Sequence, residues 1–392
     1  MGLNNPAETF LDEIGASTIG RAVTDTLYVW ENGSGVDGKS WNRAFTTIQD
    51  ALDAASTDEN DCTLILIAPH SMYYDIDAAG DPTWSANVIL KGSHRTWAEV
   101  VNTNAGATSV LKLDGKASLM DLCVNLGTSN NGAILSYNGF RVFGCQFVGE
   151  NLVSAATALT LDGAGVLDRG KIDNCDFLGH TSYMTAVKLD GVTDSRFQRL
   201  RIKECNVGVH ILDSASDGNE FEDVDIGYCT TGINIAAGNG QHFKDILLYN
   251  NTININDSVG DHIWSGIRGT FPIALTPNDF VGVQVNCGAA GVYGADTELR
   301  SAAAATKPFR VLAVYLNLSA GEIYSIRLSS DSGSSHYNAM LVEGSAQSFT
   351  RLTTEFLDYS DFVFNRGTRI SASAKSESGG NNVKVWLNVQ EI

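Results

Sequence analysis

Proline is scarce, at six in 392 residues. That scarcity leaves room for long β-ladders, because each proline removes a ladder donor. Basic residues are few as well: 26 Lys and Arg against 45 Asp and Glu give a formal net charge of -19. No basic run occurs, which argues against nucleic acid as a partner, since binding phosphates takes clustered Lys and Arg. So acidic a surface favours solubility and repels anionic surfaces. No apolar run is long enough for a transmembrane helix, so no membrane contact is expected. No basic segment followed by an apolar run is present near Met1, so no secretion signal is expected, and Pro6 stands where a myristoylation pattern wants Ser or Thr. Seven cysteines occur, an odd number, without a CxxC pair or a Cys–His cluster. No metal and no cofactor are therefore expected, and reduced, structural thiols point to folding in a cytoplasm.

What the chain does have is glycine, 39 residues of it, and a recurring phrase. The phrase is an apolar residue, two others, apolar, one other, apolar, two others, then Cys or Asn. Phe197, Leu200, Ile202 and Cys205 fit it, as do Phe221, Val224, Ile226 and Cys229, and Phe243, Ile246, Leu248 and Asn251. Leu167, Gly170, Ile172 and Cys175 fit with one small residue; Phe140, Val142 and Cys145 carry its second half, and Met120 and Cys123 a trace. Cys123, Cys145, Cys175, Cys205 and Cys229, closed by Asn251, recur every 22 to 30 residues, a period that signals a solenoid whose repeats cannot bury their apolar faces alone. Each phrase is followed by a second alternating piece, such as Ala158–Asp162, Ala186–Asp190, Gly208–Ile211 and Gly232–Ile235. Period-two alternation turns one face of each strand inward. The fold class expected is all-β: a parallel β-helix of five to seven coils, with a core of roughly 25 to 35 Å at about 4.8 Å per coil. The five cysteines are expected to form one internal ladder, stacked at the same place in successive coils.

Before the coils, residues 1–26 read as an arm, with one short amphipathic helix around Pro6, Phe10, Leu11 and Ile14. Leu27–Trp30 reads as a strand, 42–55 as a helix with Phe45, Ile48, Leu52 and Ala55 on one face, and Thr63–Pro69 as a buried strand. Tyr28-Val29-Trp30, Gly33-Ser34, Asp37-Gly38, Ala44 to Gln49, Ala51-Leu52 and Leu66 to Pro69 resemble the opening of pectate-lyase-like right-handed β-helix proteins. In that family the helix caps the N-terminal end of the solenoid. The family usually has Pro-Gly next, then Tyr and an acidic residue; this chain has Pro69-His70, then Tyr73, Tyr74 and Asp75. Trp84 and Trp97 are expected to cover the side of the rod, or, if exposed, to bind sugar.

The β-helix is expected over 27–269, with Ile263, Trp264 and Ile267 closing its end. From 270 to 392 the strands lengthen and alternate cleanly: Leu312, Val314, Leu316 and Leu318; Tyr324, Ile326 and Leu328; Val383, Val385, Leu387 and Val389. This reads as a β-sandwich of jelly-roll type. Its segments Gly291 to Leu299, Arg366 to Ala372 and Val383 to Val389 resemble a C-terminal domain common in structural proteins of tailed bacteriophages.

No catalytic residue is assigned outright. If the chain is an enzyme, Asp162, Asp190 and His210 are the candidates. Asp162 and Asp190 each end a Leu-Asp-Gly turn, matched by Asp114-Gly115, and stacking would set carboxylates about 5 to 10 Å apart, in the range of glycoside hydrolysis. His210 follows in line with Lys188 and Thr160, a row that could bind or cleave an acidic sugar. Against this, Asp-Gly is a turn signal, with Asp bonding its own turn backbone, as at Asp213 and Asp257. No arginine, the base that the resemblance to pectate lyases implies, stands out beside these aspartates. Asp213, Asp217, Asp223 and Asp225 offer oxygen ligands without calcium-loop spacing. Arg199, Arg201 and Lys203 are expected on one strand face, next to Arg196, for ion pairing with Asp223 and Asp225 of the following coil or between subunits of an oligomer.

These readings lead first to a non-enzymatic structural virion protein of a tailed phage, a capsid decoration, vertex or fibre component. It would be made in the host cytoplasm, form a homotrimer and contact other virion proteins. The alternative is a tailspike-type protein that binds or cleaves a host glycan, as a polysaccharide lyase or glycoside hydrolase. A third reading is a binding-only adhesin using Trp84 or Trp97.

Overall fold

The computed structural model describes residues 23–58, 60–78, 83–128, 131–259, 262–269, 273–276, 283–301, 305, 308–319, 323–330, 335–343, 349–353, 364 and 368–391. The helix expected in the arm lies outside them. The chain forms two compact units: Met1–Gly238 with Ile246–Ile253, and Asn239–Asp245 with Asn254–Ile392.

The first unit is a right-handed parallel β-helix with three strands per coil. The first face stacks Asp25–Val29, Thr63–Ile67, Val88–Gly92, Ser118–Met120, Arg141–Phe143, Lys171–Asp173 and the start of Arg196–Lys203. The second stacks Tyr74–Asp75, Glu99–Val101, Cys123–Asn125, Gln146–Val148, Asp176–Leu178 and the end of Arg196–Lys203. The third stacks Thr83–Trp84, Ser109–Leu113, Asn131–Leu135, Ala156–Asp168, Met184–Thr193, Val207–Ile211 and Thr231–Ile235.

One bent residue separates the first face from the second. Asp121, Gly144, Asn174, Arg199 and Asp223 hold that corner with φ of 49, 63, 54, 51 and 55°. Asp, Asn and Gly tolerate the left-handed region best, so the frequent polar residues there are bends in the chain. Inside, aromatic rings stack from coil to coil: Phe147 on Phe177 at 4.9 Å and Phe197 on Phe221 at 4.5 Å between ring centroids. Gly170 has no side chain because the Phe140 ring occupies the place: a Cβ there would lie 1.9 Å from Phe140 Cζ.

The cap is a helix, shorter than expected. It spans Ile48–Ala54, buries Ile48, Ala51 and Leu52, and is capped by the Thr47 hydroxyl, which accepts from the Asp50 amide. Trp41–Arg43 is a separate 3-10 turn. Phe45 stays extended, donating to Tyr28 O at 2.9 Å and accepting from Trp30 N at 2.8 Å. Those sheet bonds stop the helix from starting earlier.

The single cysteine ladder is not what forms. The Asp176 amide donates to Cys145 O and the Arg201 amide to Cys175 O, so Cys145 lies under Cys175 but Cys175 lies under Leu200. The Thr230 and Thr252 amides donate to Cys205 O and Cys229 O, giving a second short column of Cys205, Cys229 and Asn251 at the next corner. Cys123 aligns with Gln146. The reason is coil length. Arg141 aligns with Lys171, but Lys171 aligns with Arg196, so the shorter coil carries an equally spaced thiol five residues onward. All seven cysteines are buried. Most ladder thiols donate to the carbonyl two residues earlier: Cys145 to Phe143, Cys175 to Asp173, Cys205 to Lys203 and Cys229 to Gly227. Asn251 ends its column by accepting from the Cys229 amide and donating to Ile226 O.

In the second unit, Trp264 is buried and stacks on Phe243 at 4.2 Å. Ile267 is buried, but Ile263 is 57% exposed and closes nothing. Two antiparallel sheets follow, one of Ile273–Thr276, Val283–Asn286, Asn382–Glu391, Phe309–Leu318 and Phe349–Thr353, the other of Thr297–Arg300, Ile370–Ser376, Ile323–Ser330 and Ser335–Glu343. The alternating residues Val314, Leu316, Tyr324, Ile326, Val383, Val385, Leu387 and Val389 form one core, as a β-sandwich requires. Arg366 and Gly367 lie outside the described residues.

Candidate functional site

The third face brings the candidate residues of the sequence together. Its inward residues, among them Leu111, Leu113, Leu159, Leu161, Val187, Leu189, Val209, Ile211, Ile233 and Ile235, are buried. The residues between them point outward. Thr160 aligns with Lys188, Lys188 with His210 and His210 with Asn234. In the neighbouring column Asp162 aligns with Asp190. Asp114 is placed two coils below Asp162, with Ser136 between them. Strands one coil apart lie about 4.8 Å apart, close to the separation of about 5–5.5 Å between carboxyls at retaining glycosidase sites.

Lys188 Nζ lies 3.1 Å from Asp190 Oδ2, both side chains being part-exposed. His210 is half-buried, and its imidazole pKa is lowered, first by desolvation and then by the Lys188 charge, with Asp190 opposing. An imidazole held below its ordinary value of about 6.5 is neutral, and able to take a proton, at physiological pH.

An aspartate that serves only a turn bonds the backbone amide two residues on. Asp213 Oδ1 accepts from the Ala215 amide at 2.7 Å and Asp257 Oδ1 from the Val259 amide at 2.9 Å, the bonds that turn use demands. Asp190 instead pairs with Lys188, and Asp162 makes no such turn bond among the described residues. A β-bulge adds to the distinction. The register shifts between Asp162 and Leu167, so the chain bulges out directly after Asp162. Bulges beside a site re-aim side chains. The Gly-Ala-Gly run at 163–165 was the only signal of it in the sequence.

The other candidates disperse. Trp84 is 8% exposed and its Nε1 donates to Asp53 Oδ1 at 2.8 Å, so it ties the coils to the capping helix and is no sugar platform. Trp97 is 62% exposed, its ring 5.3 Å from that of His94. Arg201 aligns with Asp225 as expected. Arg199 does not share its face, because it sits at the left-handed corner; it turns to the preceding coil and binds Asp173 through Nε and Nη2 at 2.7 and 2.6 Å. Asp223 occupies the same corner one coil on. Among the described residues no group of three or more His, Cys, Asp or Glu is placed to hold a metal ion, and no helix is long and apolar enough to cross a membrane.

No protein-family model matches the chain, and no curated protein matches it. Solved structures do. The pectate lyase Pel9A matches at 15% identity and TM-score 0.47, over 65% of this chain and 72% of its own. The enzymatically active domain of tailspike protein 4 of bacteriophage CBA120 matches at 11% identity and TM-score 0.28, over 90% and 67%. Pantoea stewartii WceF, a glycan biofilm modifying enzyme with a tailspike-like parallel β-helix, matches at 10% identity and TM-score 0.30, over 87% and 57%. What they share with this chain is the solenoid fold. All three are enzymes, and on that finding the expectation of a non-enzymatic chain is corrected.

Proposed function

We propose that this chain is a tailspike-type protein that cleaves an acidic polysaccharide of the host surface on its third face. The observation that carries the reading is the register of Asp162 with Asp190, beside Thr160, Lys188 and His210. Two carboxyls one coil apart suit hydrolysis with retention. In it Asp190, ion-paired to Lys188, attacks the anomeric carbon, and Asp162 protonates the leaving oxygen, then activates water. Lys188 is also placed to meet a uronate carboxylate. The lowered pKa of His210 favours a second reading, β-elimination. There the neutral imidazole removes the proton α to a uronate carboxylate, Lys188 balances the charge that develops, and the glycosidic oxygen leaves.

The products separate the two. Hydrolysis leaves saturated sugars with new reducing ends; elimination leaves an unsaturated uronate with an ultraviolet chromophore. Incubation of the purified chain with acidic capsular and exopolysaccharides, followed by end-group analysis, decides between them. Unchanged polymer length across such a panel contradicts both. The same reading makes the chain part of a phage particle, a homotrimer in contact with other capsid or tail proteins. A native mass equal to one chain would contradict the trimer.

A further inference from the structure

A second feature of the solenoid lies outside this row. At the corner between the second and third faces, Glu204, Tyr228 and Asn250 all have positive φ, of 56, 58 and 53°. Asn suits that conformation; a bulky tyrosine is strained in it. Tyr228 is nevertheless 50% exposed, so it does not hold the corner through packing in the core. Its ring meets that of Tyr249 edge to face, with centroids 5.5 Å apart and planes at 89°. Tyr249 lies flat against the sheet because position 227 is glycine: a Cβ there would fall 2.2 Å from Tyr249 Cε2 and 2.3 Å from Cζ. A strained exposed tyrosine, and a glycine that admits a second ring, together make an L-shaped aromatic notch. Polar groups rim it. Lys203 aligns with Gly227 on the same face, Asp225 acts electrostatically on Tyr249, and Glu204 holds the equivalent corner one coil below.

We propose that Tyr228 and Tyr249 form an accessory saccharide-binding site, in which the apolar C–H face of a pyranose stacks on Tyr228 while Lys203, Glu204 and Asp225 bond its hydroxyls. Aromatic faces with polar neighbours suit a ligand that is apolar on its ring face and polar at its rim. A second protein chain would leave a mixed-charge rim of this kind to be desolvated without compensation. The inference rests on the glycan reading above and adds a place where polymer is held apart from the row of Asp162, Asp190 and His210.

The test is affinity electrophoresis of the full chain in gels cast with the polysaccharide it degrades, alongside cleavage of a short oligosaccharide and thermal unfolding. Tyr228→Ala and Tyr228→Gly should each weaken polymer retardation about tenfold, the scale of one lost stacking contact, while oligosaccharide cleavage is unchanged. Tyr228→Phe should restore retardation. Tyr228→Gly should also unfold no earlier than the native chain, since glycine relieves the backbone; a merely structural tyrosine would lower the melting temperature instead. Undiminished retardation in both Tyr228→Ala and Tyr228→Gly overturns the site. So does a change of native mass in those variants, which would assign the notch to a second copy of the chain. A native chain that cleaves without being retarded overturns the site alone; one that does neither overturns the glycan reading and the site with it.

Discussion

Replacing Asp173 by Asn tests how the coils are clamped together. Asp173 is 3% exposed. Lys171 Nζ reaches its Oδ2 at 3.0 Å, and Arg199 grips both oxygens from the next coil at 2.7 and 2.6 Å. Burial alone raises the carboxyl pKa, but the bonds and charges of Arg199 and Lys171 outweigh it and hold the pKa below its ordinary value. Charge-assisted bonds contribute about 1.5–3 kcal/mol each. The side chains of Arg199 and Lys171 are 57% and 36% exposed, so water screens part of that. Asp173→Asn should therefore cost about 2–3 kcal/mol, a fall of roughly 4–10 °C in melting temperature. The effect has a sign with pH. A carboxyl whose folded pKa is depressed stabilises fully above its unfolded value of about 3.9, and the contribution fades as pH falls through the folded value. Calorimetry of the native chain and the variant should show a gap at neutral pH that closes in acid. Equal melting temperatures at neutral pH, or a gap that stays constant into strong acid, would refute the clamp.

Three further outcomes follow. Lys188→Met should raise the titration midpoint of His210 seen by NMR, because it removes one of the two causes that lower it; an unmoved midpoint would show that the two groups do not face each other. Phe221→Ala opens a cavity above Phe197 and should cost about 3–5 kcal/mol in denaturant unfolding, whereas a loss under about 1 kcal/mol would mean the stack carries no weight. Burial pushes the thiol of Cys123 up to about 12 and that of Cys175 well above its ordinary value, so neither should react with a thiol reagent at mildly alkaline pH before the fold opens. Rapid labelling of native protein at either position would contradict their burial.

The solenoid was legible because its signal is local. The recurring phrase and the alternating pieces after it name the inward residues of each coil, and Phe197, Phe221, Leu161 and Leu189 are buried as that pattern requires. The sandwich was legible for the same reason, in the alternation of Val383 to Val389. Register was harder to see. Coils of unequal length let equally spaced cysteines fall at two different corners, and only hydrogen bonding between coils decides which residue lies over which. Sequence spacing put Arg199 on a strand face; a single left-handed residue rotated it to Asp173. Trp84 was legible as a residue covering the rod, but its partner, Asp53 in the capping helix, was not. The candidate site was legible as a row, Asp162 and Asp190 with Lys188 and His210. What the sequence could not supply was which group each carboxylate bonds, Asp213 its own turn and Asp190 the Lys188 ammonium, or the bulge that follows Asp162.

Glycan cleavage is proposed for the third face. Its most direct test is the rate of new chain ends released from an acidic polysaccharide by the native chain and by Asp162→Asn with Asp190→Asn, with matched melting temperatures confirming that both fold. Release by the native chain and a loss of at least about a hundredfold in the double variant are expected. Equal rates in the two proteins would contradict hydrolysis by the aspartate pair and leave elimination by His210 on the same face, which His210→Ala then tests.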